Sequence, residues 1–75
     1  MPQVKDAFAV KVLAINVKQH RLRCKLSQEK LAFIAEIEYS QVSRIERGII
    51  NTSVSVIFIL AKALDVKPSQ LLEFQ

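Results

Sequence analysis

One glycine and two prolines among 75 residues leave this chain few places to turn sharply. Asn-Gly and Asp-Gly, the pairs that close tight β-hairpins, do not occur in it. Apolar residues instead recur at helical spacing. Val10, Leu13, Val17, Arg21 and Cys24 follow steps of three and four and predict a first helix over about residues 6–24. Ser27 is a natural N-cap before Gln28 and Glu29, with the Glu29 carboxylate near the positive end of the helix dipole. Leu31, Ala32 and Ala35 then form the inner face of a short second helix. A third helix is expected over about 39–47, ending at Gly48 in a left-handed cap. Residues 51–53, "NTS", can cap a fourth helix, "VSVIFILAKAL", which is nearly all apolar and is expected to be the central, most buried element. Asp65 ends it, and Pro68 suits the first turn of a fifth helix over about 68–74. The expectation is an all-α chain, five short helices in one compact domain spanning 1–75.

Composition narrows the function. The chain is 51% apolar, high for a domain near the lower limit at which a core suffices without staples. Such a content implies a very complete core or a surface that pairs with a second copy. One cysteine (Cys24) and one histidine (His20) exclude a disulfide framework and argue against a structural metal site. A lone cysteine points to a reducing, cytoplasmic setting, and Cys24 reads as a buried small hydrophobe. No segment reaches the roughly 18 apolar residues of a membrane span. "VKDAFAVKVLAI" is interrupted by Asp6 and Lys11 and reads as mature protein, not as a signal peptide. Net charge is +4, and it is uneven. Residues 1–25 hold six Lys/Arg against Asp6 alone, whereas the rest hold five bases and six acids. A basic chain is compatible with a nucleic-acid partner.

The informative stretch is 28–47. Two helices joined by a turn of about three or four residues match a helix-turn-helix. Steeply crossing helices need a small residue where their backbones meet, and Ala32 supplies it. Leu31, Ala35, Ile37, Val42 and Ile45 face a shared core. The outer side of the second helix then projects from the body and can enter a major groove.

"LSQEKLAFIAEIEYSQVSRIERG" followed by "NTSVSVIFILAKALDV" resembles the lambda-repressor-like family of DNA-binding domains, also called the Cro/CI or XRE type. The resemblance covers about residues 13–72, and it rests on "SQEKLA", "VSRIERG" and "AKALDV" at fixed separations. It implies a compact five-helix domain that binds double-stranded DNA and needs no cofactor. It implies further that Gln28 contacts a phosphate and braces the recognition helix. Tyr39, Ser40 and Arg44 match positions that reach base edges, with Gln41 beside them. Arg47 and Asn51 match positions that hold the flanking phosphate backbone. Arg21 and Glu46 match an internal ion pair. Arg44 is the strongest base reader on chemical grounds, because a guanidinium binds guanine O6 and N7 together. Other readings stay open for Tyr39, which could pack its ring at a helix start, and for Ser40, which could be an N-cap. Arg23 and Lys25 are plausible neighbours of phosphates.

Two residues depart from the family pattern. Glu36 stands where the turn usually carries glycine; in a left-handed conformation it would be strained by about 1 kcal/mol. Glu38 stands where a small cap usually precedes the recognition helix. A carboxylate there suits the helix dipole but is unfavourable near phosphates, unless it accepts from a cytosine amino group.

One recognition helix reads only a few base pairs, too few against a genome of competing sites. A homodimer on a near-palindromic operator is therefore expected, paired through a C-terminal helix over about 68–74 with Val66, Leu71, Leu72 and Phe74, and with Ile57 and Phe58 contributing. The family's free-standing domains include phage Cro-like repressors, restriction–modification controllers and antitoxin-type regulators, and the residues do not choose among them. The alternative function is a protein-interaction module with weak or lost DNA binding, for which Glu36 and Glu38 are the best support. Nothing in the sequence converges as an enzyme active site.

Overall fold

Three helix starts are built on short polar side chains that accept from exposed backbone N–H groups. Asp6 Oδ1 accepts from the N–H of Phe8 at 2.9 Å and of Ala9 at 3.1 Å, opening α1 (Ala7–Arg23). Ser27 Oγ accepts from Lys30 at 3.0 Å and opens α2 (Gln28–Ala35). Ser53 Oγ accepts from Val56 at 3.2 Å and opens α4 (Val54–Leu64). Between them lies α3 (Tyr39–Glu46), whose N-cap is Glu38, and the described chain closes on a 3-10 turn, Pro68–Leu71. These elements come from a computed structural model that describes residues 5–74; residues 1–4 and 75, part of the expected 1–75 domain, lie outside the described residues.

All four α-helices end in the same way. A left-handed residue follows each one: Lys25, Glu36, Gly48 and Asp65, with φ of 58°, 58°, 69° and 57°. The next residue then donates its N–H five residues back, Leu26 to Arg21, Ile37 to Ala32, Ile49 to Arg44 and Val66 to Ala61, at 3.0–3.2 Å. This Schellman closure satisfies carbonyls the helix leaves open. Leu26, Ile37 and Val66 also turn their side chains onto the core. Only one of the four left-handed positions is glycine, so the other three carry backbone strain. Glu36→Gly is expected to stabilise the domain by about 0.5–1 kcal/mol, net of glycine's greater unfolded-state entropy. A thermal melt checks this; a lower Tm would mean that the Glu36 side chain contributes more than its strain costs.

Every element sends a fully buried side chain to one core: Val17 from α1, Leu31 from α2, Val42 from α3, Leu60 from α4 and Leu71 from the 3-10 turn, all at 0% exposure. Leu71 therefore closes the core and cannot reach a second copy, which corrects its placement in a dimer interface. The fifth element is shorter than a helix over 68–74, because the chain leaves the 3-10 turn at Leu72. The expectation that α4 is the most buried helix is also corrected. Only Leu60, Ala61 and Leu64 are buried on it, while Val54, Phe58 and Ile59 face outward. With 3.6 residues per turn, one stripe of the helix meets the core and the opposite stripe stays outside. Cys24 is exposed, at the C-cap of α1, so its reading as a buried hydrophobe fails as well.

Candidate nucleic-acid interface

The back of α3 is locked by charge. Arg21 on α1 is buried, and its Nε and Nη2 donate to Glu46 Oε2 and Oε1 at 2.6 and 2.9 Å. Its Nη1 donates to the Leu26 carbonyl at 2.8 Å, and Gln28 Nε2 donates to Glu46 Oε1 at 3.0 Å. One carboxylate thus joins α1, the start of α2 and the end of α3. The hydrogen bond to Glu46, reinforced by its charge against the cost of burial, holds the Arg21 guanidinium above its ordinary pKa. At the same end of α3, a Cβ on Gly48 would lie 3.8 Å from Ala14 Cβ, so this helix terminus packs closely on α1.

The side of α3 away from Val42 and Ile45 is open. Tyr39, Ser40, Arg44 and Arg47 are exposed and Gln41 is half-buried; Asn51 is exposed in the segment leading to α4. Arg47 Nε donates to the Ser43 carbonyl at 3.4 Å, which folds its side chain along the helix. The turn between α2 and α3 is Glu36, Ile37 and Glu38, with Ile37 turned onto the core and both acids exposed. Glu38 is the N-cap, so Ser40 is not; it is the second residue of the helix, and its hydroxyl is free of the capping role.

The residues expected at a dimer interface do not form one surface. Val66 lies beside Phe58, Ile59, Lys62 and Pro68 around a shallow depression on α4. Leu72 and Phe74 lie with Phe8 and Ile15 along the outer face of α1, and the Phe74 ring meets Phe8 edge-on at 5.0 Å. Sequence reasoning missed Asn16, whose Nδ2 donates to the carbonyls of Leu71 and Glu73 at 3.0 and 2.8 Å and ties the C-terminal segment to α1. An asparagine set between the apolar Ile15 and Val17 on α1 was the available signal.

Two helices joined by a three-residue turn, the second locked from behind and open in front, define a helix-turn-helix unit. The helix-turn-helix family model matches residues 17–71, and the chain belongs to that family. It is similar to the control protein C.BamHI of Bacillus amyloliquefaciens, with 46% identity over 60 residues, 79% of this chain and 74% of that protein. The restriction-modification controller protein C.AhdI from Aeromonas hydrophila superposes with a TM-score of 0.80 at 37% identity, over 83% of this chain and 94% of that one. The controller protein C.Esp1396I, solved as a tetramer in complex with its natural 35 base-pair operator, shares the fold with a TM-score of 0.78 at 22% identity, over 91% and 100% of the two chains. Among the described residues, no helix is long and apolar enough to cross a membrane.

Proposed function

We propose that this protein is a DNA-binding transcriptional regulator of the restriction–modification controller type, reading a near-palindromic operator as a homodimer. The observation that carries this is the two-sidedness of α3. Its back is fixed by the Arg21–Glu46–Gln28 cluster, and its front offers Tyr39, Ser40 and Arg44 to solvent. Base readout needs such a rigid mount, because hydrogen bonds to base edges discriminate only when donors arrive in register. In this reading Tyr39, Ser40, Gln41 and Arg44 face bases, Gln28, Arg47 and Asn51 face phosphates, and no catalytic step or cofactor is involved. Among the regulators the fold can serve, the control proteins it resembles favour the controller role over phage Cro-like or antitoxin roles. A DNA partner implies a cytoplasmic protein. The alternative of an interaction module, binding through its apolar C-terminal face, has Glu36 and Glu38 as its best support.

The pairing surface in this proposal is the α4 face with Phe58, Ile59 and Val66. Leu72 and Phe74 are set aside for a geometric reason. They lie with Phe8 and Ile15 along α1, away from the face formed by Phe58, Ile59 and Val66, and this proposal pairs the chains through one continuous face. A dimer on one operator needs both on the same side of the duplex, about 34–36 Å apart. Titration of the natural upstream DNA at two salt concentrations tests the function. Specific binding that weakens steeply with salt is expected, and absence of binding even at low salt would overturn the reading. In sedimentation Phe58→Glu is expected to run as a monomer, and in the titration to bind weakly, while Phe74→Glu remains a dimer.

A further inference from the structure

Glu38 stands at the reading surface, and the assignments above leave its chemistry unused. Asp6, Ser27 and Ser53 each accept a backbone hydrogen bond at the head of their helices, but the Glu38 side chain makes no capping bond. Its extra methylene relative to aspartate holds the carboxylate away from the N–H groups it would cap. The carboxylate is exposed and makes no hydrogen bond or ion pair among the described residues. It stands directly before Tyr39 and Ser40, at the entry of the recognition helix. An uncompensated negative charge there repels phosphates, and every base pair without a matching donor adds to that penalty.

In the major groove guanine presents only acceptors, and adenine presents an amino group beside the N7 acceptor, which repels a carboxylate. Cytosine presents its N4 amino group as a donor, the edge that Glu and Asp read. We propose that Glu38 is a specificity-determining residue that accepts from a cytosine amino group in each operator half-site. The acid then selects in two ways: it bonds the correct base and repels the acceptor edges of the wrong ones. This rests on the DNA-reading function proposed above.

Binding selection from DNA randomised across the half-site, run with the wild type, Glu38→Ala and Glu38→Gln, tests it. The wild type is expected to prefer cytosine at one position by about tenfold or more. Glu38→Ala should lose that preference while binding other sequences as well or better. Glu38→Gln should move the preference toward adenine, because an amide pairs with adenine N6 and N7 together. A wild type with no base preference anywhere would overturn the DNA-reading function and this proposal with it. A sequence-selective wild type whose base profile is unchanged in both variants would leave DNA reading intact and overturn the role of Glu38, reducing it to a charge felt by phosphates.

Discussion

Arg21→Ala is expected to bring the domain to the edge of unfolding. The substitution leaves the Glu46 carboxylate, whose side chain is 3% exposed, with Gln28 Nε2 as its remaining hydrogen-bond donor among the contacts described. It also strips the Leu26 carbonyl of its guanidinium partner. Removing one member of a buried ion pair costs about 3–5 kcal/mol, most of it the penalty of the stranded charge. A chain of 75 residues has roughly 4–11 kcal/mol of total stability. Urea unfolding followed by circular dichroism should therefore show a midpoint far below wild type. The double substitution Arg21→Met with Glu46→Leu should recover most of the loss, since apolar side chains of similar volume leave no charge behind. A cost below about 1 kcal/mol for the single change would show that water reaches Glu46 and that the pair is not what seats α3.

The second large effect concerns recognition alone. Arg44 is exposed and contributes nothing to the core, so Arg44→Ala should fold as the wild type does. It is expected to lose about 1–3 kcal/mol of discrimination, roughly 5–150-fold, at one base pair of each half-site. Binding to random DNA and the dependence on salt should change little, because phosphate contacts set both. Arg44→Lys should not rescue the preference, since an ammonium lacks the planar fork that spans guanine O6 and N7. Competition titrations against operators substituted one position at a time make the measurement. If Arg44→Ala weakens every sequence equally, Arg44 holds a phosphate and the base reader lies elsewhere on α3.

Much of this architecture is legible in local chemistry. Ser27 before Gln28, Gly48 after Arg47 and Pro68 after Asp65 mark element boundaries that need only capping rules, and those boundaries stand within one residue of where they were expected. Leu31, Ala32, Ala35, Val42 and Ile45 carry the period of the helix-turn-helix and are all buried. The reading failed where periodicity carries no information. In "VSVIFILAKAL" almost every position is apolar, so nothing in the string distinguishes Leu60, which is buried, from Phe58, which is exposed. Leu71 and Leu72 are adjacent and alike, yet one closes the core and the other faces solvent.

The sequence alone determined that the chain is helical, where its helices begin, and which stretch forms the helix-turn-helix, because caps, turns and the spacing of apolar residues act over a few residues. The tertiary structure decided which side of α4 the core takes and that Leu71 belongs inside. It separated Val66 from Leu72 and Phe74 onto different faces and assigned Asn16 to the C-terminal carbonyls. Those outcomes depend on how the helices are oriented around a shared core, and orientation is set by contacts between residues as far apart as Asn16 and Glu73.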